Sequence, residues 1–137
     1  MSTLDIDELA PCFEGLIPAV IATADNNGVP NITYLSRVMK VDDEHVALSN
    51  QFFSKTSRNL AVNPRASVLL LNPLTFAEFR ISIEYERSER RGPIFERMRE
   101  DIDAIAALTG MSGVFALKSA EIYRVTEIVR KAPSGVA

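Results

Sequence analysis

At 137 residues the chain has the length of one domain, and 47% hydrophobic with 24% charged residues is enough for a core without staples. A net charge of −3 excludes the strongly basic face that nucleic-acid phosphates demand. Cys12 is the single cysteine and His45 the single histidine, which excludes an internal disulfide and any His or Cys pair with metal-ligand spacing.

Met1 to Leu9 is acidic and has no basic region followed by an apolar run, so no signal peptide is expected. The longest apolar stretch, Leu16 to Ala24, is about half of what a bilayer crossing needs. With one unpaired thiol, these features predict a soluble protein of the reducing cytoplasm, with neither membrane nor nucleic acid as partner.

Thr3 to Leu9 is predicted as a short helix, capped by Ser2 or Thr3 and ended by Pro11, with residues 1–13 forming an amino-terminal helical segment. Leu16 to Ala24 is continuous and β-branched, as in a buried strand. Asn26-Asn27-Gly28 tolerates positive φ and predicts a hairpin into a strand over Pro30 to Val41. Asp42-Asp43-Glu44 is a second turn, and Glu44 to Asn50 a third strand. A helix over Ser54 to Val62 stops at Asn63-Pro64.

Strands follow over Ala66 to Leu71 and Thr75 to Ser88, the second with a slip near Phe79 that reads as a bulge. Pro93 suits the first turn of a helix. Phe95, Met98, Ile102, Ile105 and Leu108 continue that helix at apolar spacing, and Gly110 ends it. Val114 to Ile128 is the last strand, and residues 130–137 read as a loose tail. Six strands in mostly hairpin connection, with inserted helices, predict a mainly β, single-domain antiparallel barrel.

Hydrolytic chemistry would rest entirely on His45, which opens a strand beside a charged turn, and no nucleophile-elbow pattern surrounds any serine. His45 is therefore read as an ordinary strand-end residue. The carboxylate pairs Glu84 with Glu86 and Asp101 with Asp103 read as solvated faces, and neither a GxGxxG nor a Walker loop occurs.

The segment Ser49 to Pro64 is different. A helix that begins Ser54-Lys55-Thr56-Ser57 offers free backbone N–H groups and hydroxyls to an anion, and Lys55 has the wrong charge for the helix dipole there. A bound phosphate accounts for that lysine; a plain Ser54 cap with a solvent-facing Lys55 accounts for it as well. Arg37 lies mid-strand between Leu35, Val38 and Met39, where a charge requires a partner. Its partner is either the same anion or one of the chain's own carboxylates.

Asn31-Ile-Thr-Tyr-Leu-Ser-Arg37, Val46-Ala-Leu-Ser-Asn50 and Ser54-Lys-Thr-Ser-Arg-Asn-Leu-Ala-Val-Asn-Pro-Arg65 together resemble the pyridoxamine 5′-phosphate oxidase-like, FMN-binding split-barrel proteins. The most specific part is similar to that family's Ser-Lys-x-x-x-Asn-Leu-x-x-Asn-Pro-Arg signature. The similarity covers about residues 14 to 128, and the Pro93 to Phe115 region resembles a bacterial subgroup. The resemblance implies a homodimeric six-stranded split barrel with one FMN in each of two clefts at the subunit interface.

Carried over by position, Arg37 and Lys55 would hold the phosphate with Ser54 and Thr56. Ser36, Arg37 and Val38, with Leu48, Ser49 and Asn50, would line the flavin's ring and ribityl chain, mainly through backbone groups. The implied function is that of a flavin-dependent oxidoreductase on a small substrate, or else a flavin-binding sensor or accessory module without turnover. The true oxidase grips its substrate phosphate with a basic carboxyl-terminal stretch. Only Val129 to Ala137 follow the final strand here, so pyridoxamine phosphate is not the expected substrate. Relatives of this kind also carry a deazaflavin, haem or no cofactor.

Overall fold

The structure is a computed structural model that describes residues 5–14, 17–35, 37–50, 54–108, 110 and 117–131. Seven antiparallel strands form one sheet: β1 (Ala19–Ala24), β2 (Pro30–Leu35), β3 (Val38–Lys40), β4 (His45–Asn50), β5 (Arg65–Leu71), β6 (Glu78–Glu89) and β7 (Ser119–Lys131). Helix α1 (Ser54–Val62) lies between β4 and β5, and α2 (Pro93–Leu108) between β6 and β7. A 3₁₀ segment, Ile6–Glu14, precedes the sheet.

The strand order is β2-β1-β5-β6-β7-β4-β3. The two edge strands of this sheet, β2 and β3, are neighbours in the chain, separated by residues 36 and 37 alone. The sheet therefore curls until its edges meet in one continuous piece of backbone, which is the closure of a barrel. The expected single strand from Pro30 to Val41 is two strands, because its first half pairs with β1 and its second with β4. That change of partner makes the total seven where the sequence reading expects six.

Alternation along the strands sorts the side chains. Ile21, Val68, Ile81, Val125, Val46 and Leu48 fill the barrel, with Leu9 and Phe13 of the 3₁₀ segment closing one side. On the opposite face of β3, β4 and β7, Met39, Ala47, Ala120 and Ile122 receive Met98 and Ile102 of α2. Each large apolar side chain buried this way contributes roughly 1.5–3 kcal/mol.

Turn chemistry follows the sequence at three places. Gly28 has φ +78°, while the Asp25 carboxylate accepts the amides of Asn27 (2.8 Å) and Val29 (3.0 Å). The Asp42 carboxylate accepts the Glu44 amide at 2.8 Å in the second turn. Pro93 opens α2, and Gly110, at φ +73°, follows its end.

Five expectations need correction. The first helix is 3₁₀ and runs through Pro11 to Glu14; residues 1–4 lie outside the described ones. Thr75 and Phe76 belong to a turn: the Asn72 carbonyl and side chain accept three successive amides, which holds Phe76 at φ +59°. The ladder of β6 is regular at Phe79 and shifts register between Ser82 and Ile83, and again between Tyr85 and Arg87. Leu108 is exposed and Ala106 is buried, while the Ile105 side chain lies outside the described ones. Strand β7 begins at Ser119 and continues to Lys131, pairing with Glu78, so the tail starts later than expected. The proposed start at Val114 and residues 132–137 lie outside the described residues.

His45 keeps the role of a strand-end residue, with a definite task. Its Nδ1 meets Asp42 Oδ1 at 2.8 Å and its Nε2 meets Glu86 Oε1 at 3.0 Å, tying the β3–β4 turn to β6. The hydrogen bond to Asp42, helped by Glu86 and opposed by burial, raises the imidazole pKa above 6.5. The folded state thus binds this proton more tightly than the unfolded chain. The stabilisation is complete below the ordinary histidine pKa and fades as pH rises through the raised value. His45→Gln is expected to cost about 0.5–1 kcal/mol at pH 6 and little at pH 9. Denaturation midpoints at both pH values check this; equal losses at the two would contradict an ionic clamp.

Candidate functional site

The barrel seam is where most of the predicted site residues converge. Arg37 and Ser49 exchange hydrogen bonds across it: the Arg37 amide donates to Ser49 Oγ at 3.0 Å, and the Ser49 amide donates to the Arg37 carbonyl at 3.1 Å. Val38 pairs with Leu48 in the β3–β4 ladder, and both side chains enter the barrel core. Backbone groups of residues 37–38 and 48–50 therefore share one locus. Ser36 lies outside the described residues, as do the side chains of Asn50 and Ser54, although Asn50 ends β4 and Ser54 opens α1.

Helix α1 is pinned by two bonds to the β1–β2 hairpin. Asn31 Nδ2 donates to Thr56 Oγ1 at 3.2 Å, and Asn59 Nδ2 donates to Thr23 Oγ1 at 3.1 Å. The Asn59–Thr23 bond is buried and the Asn31–Thr56 bond partly so, and together they fix the helix. No acidic residue occupies the first turn of α1. Lys55 stands there exposed and has no ion-pair partner among the described residues. A positive helix terminus with an uncompensated lysine is an anion-binding arrangement.

Arg37 resolves differently from the phosphate alternative. Its Nη2 donates to Asp101 Oδ2 of α2 at 3.2 Å, and its Nη1 donates to the Phe13 carbonyl. The partner of the mid-strand charge is thus one of the chain's own carboxylates, and Asp101 is no member of a solvated face. Arg37 Nε remains buried with no hydrogen-bond partner among the described residues. An orphaned guanidinium N–H beside a carboxylate-paired one leaves donor capacity for an anion at this seam.

A polar group also lies inside the barrel next to Leu48. Glu121, directly across the ladder from Leu48, is buried and accepts from Ser119 Oγ at 2.9 Å. Tyr85 and Tyr123 meet edge to face there at 5.4 Å between centroids. Burial, reinforced by the Glu121 charge, pushes both phenols above their ordinary range and keeps them neutral.

The remaining candidates fall apart as chemistry. Both ring nitrogens of His45 face carboxylates, so it is unavailable as a metal or haem ligand. Glu84 pairs with Arg124 and Asp103 with Arg99. No cluster of three or more metal-ligating side chains occurs among the described residues. No helix among the described residues is long and apolar enough to cross a membrane. A cleft of about 590 Å³ opens on the outer face of the sheet by Thr23, Asn63, Arg65, Ser67, Ser82 and Glu84, and none of the predicted site residues lines it.

Asp101, the Phe13 carbonyl and the Asn31–Thr56 bond are the parts of this site that the sequence does not disclose. Asp101 stands beside Met98 and Ile102 on the buried side of α2, which is a local signal. Nothing local ties it to an arginine 64 positions away.

Comparison with known proteins agrees with this architecture. A family model described as pyridoxamine 5′-phosphate oxidase matches residues 6–126. An uncharacterized protein of Methanocaldococcus jannaschii, MJ0282, is 26% identical over 123 residues, which cover 87% of this chain and 79% of that protein. Among solved structures, an FMN-binding protein from Syntrophomonas wolfei superposes with a TM-score of 0.75 at 19% identity, covering 94% of this chain and 89% of that one. HutZ, the heme storage protein from Vibrio cholerae, superposes with a TM-score of 0.59 at 16% identity, covering 93% and 94%. At these identities the structural matches establish a shared fold.

Proposed function

This chain belongs to the pyridoxamine 5′-phosphate oxidase family, and from that premise we propose that it binds FMN and works as a flavin-dependent oxidoreductase on a small substrate. The observation that carries the reading is the start of α1, where Lys55 stands uncompensated on a positive helix end. The orphaned Arg37 Nε at the barrel seam supports it. Lys55, Thr56 and the first amides of α1 hold the flavin's phosphate, and Arg37 adds the remaining charge. Backbone groups of residues 37–38 and 48–50 flank the ring system, and Ser49 is kept in place by its exchange with Arg37.

Bound there, the flavin supplies hydride transfer, and the protein supplies orientation. This division of labour fits a seam where Arg37 is paired with Asp101 and the phenols of Tyr85 and Tyr123 are held neutral. The haem reading, which HutZ suggests by shared fold, lacks a histidine here, since His45 is committed on both nitrogens. Rapid reduction of the bound flavin by a nicotinamide cofactor favours the enzyme; a tightly held flavin that accepts no reductant favours a sensor.

A homodimer is part of the same proposal. On the outer face of the sheet, Tyr34, Val20, Leu69, Arg80 and Val129 stand side by side across five strands. Ile32 lies one row away, 68% exposed, and Tyr34 is 74% exposed. A row with four apolar or aromatic side chains and one arginine on a solvent-facing sheet fits a second copy of the same surface.

Lys55→Ala is expected to weaken FMN binding by about ten- to hundredfold, the usual worth of one charge-assisted hydrogen bond. Flavin fluorescence titration reads this directly, and unchanged affinity removes the phosphate from the start of α1. Light scattering is expected to report a dimer that Ile32→Lys with Tyr34→Lys converts to monomer. A wild-type monomer with full flavin occupancy contradicts the interface.

A further inference from the structure

Arg37 has two claimants. The flavin reading assigns it to a phosphate, yet its guanidinium already donates to Asp101 and to the Phe13 carbonyl. The two partners differ in kind. The Phe13 carbonyl is neutral, belongs to the 3₁₀ segment packed into the barrel core, and anchors the guanidinium in place. Asp101 is a carboxylate on the rim of α2, and it neutralises the charge that a phosphate needs.

Exposure also separates the members of the pair. The Arg37 side chain is 17% exposed and the Asp101 side chain 37%. Asp101 can turn to solvent by a change of rotamer, where water replaces its hydrogen bond. Arg37 has no such exit, because its Nε is buried and its Nη1 is tied down. Helix α2 need not move, since Met98 and Ile102 hold it on Met39, Ala47, Ala120 and Ile122 independently of the ion pair. A phosphate monoester carries about −1.5 to −2 charges against one for a carboxylate, so it is the stronger partner for a fixed guanidinium.

Resting on the flavin reading above, we propose that Asp101 is the resident counter-ion of the phosphate site and surrenders Arg37 when a phosphate ester binds. Asp101 thereby sets how strongly the site prefers a phosphorylated flavin to an unphosphorylated one. In its absence the seam carries an unopposed cation, and the preference grows. The alternative role for such a carboxylate, holding an arginine in the pose that grips phosphate, predicts the opposite change on its removal.

The test is titration of wild type and of Asp101→Asn with FMN and, in parallel, with riboflavin, which has the same ring and no phosphate. Asp101→Ala serves as a second variant that cannot keep the hydrogen bond, and thermal melts confirm that both variants are folded. FMN affinity is expected to rise about two- to fivefold, the scale of one partly exposed ion pair, with riboflavin affinity unchanged. Weakened FMN binding overturns the proposal in favour of a positioning role. Equal changes for both flavins overturn it in favour of indirect packing, and no change for either leaves Asp101 without a role at the site. Wild-type protein that binds neither flavin overturns the flavin reading itself and this proposal with it; FMN binding that is indifferent to Asp101 overturns only the proposal.

Discussion

A strand that pairs with β1 on one side and, two residues later, with β4 on the other must redirect its backbone between them, and Arg37 stands where it does so. Two backbone groups at that point lose their ladder partners, and Ser49 supplies both replacements, one from its hydroxyl and one from its amide. The guanidinium of the same residue reaches outward to Phe13 and Asp101, binding the amino-terminal segment and α2 to the seam. Barrel closure, the docking of two peripheral elements and the candidate anion site thus share one residue. A change at Arg37 is felt in all three, which is why a charged side chain is tolerated between core neighbours Leu35 and Val38.

The neighbouring helix follows the same economy. Thr56 and Asn59 face the β1–β2 hairpin and bond to Asn31 and Thr23, while Leu60 enters the core. These contacts hold α1 in place and leave Lys55 exposed in its first turn. Fixing a helix end by buried hydrogen bonds keeps its N–H groups oriented before any ligand arrives, and such preorganisation lowers the cost of binding. The candidate site draws on the start of one element and the closing seam of the barrel, both places where regular pairing stops.

Local chemistry made much of this legible in advance. Asn26-Asn27-Gly28, Asp42-Asp43-Glu44, Pro93 and Gly110 each act through their own neighbours, and their turns and helix ends lie where the residues put them. The Ser54 to Val62 helix and its lysine were equally readable. Long-range pairing was not. Pro30 to Val41 alternates as one strand, and only the three-dimensional closure of the sheet breaks it at Arg37. Arg37's ion pair with Asp101 was one of two readings left open by sequence, because a side chain's partner across 64 positions is decided by topology. Phe76, an apolar residue in a strand-like run, is held at positive φ by the local Asn72 turn, whose bonds outweigh its β-propensity.

The measurement that bears most directly on the whole account is the visible absorbance spectrum of the purified protein, recorded again after incubation with FMN and removal of free flavin by desalting. A site built from Lys55, the α1 amides and Arg37 predicts retained flavin bands at ~370 and ~450 nm, a property of the cofactor. A protein that emerges colourless after exposure to excess FMN contradicts it, and the seam then stands as a purely structural closure.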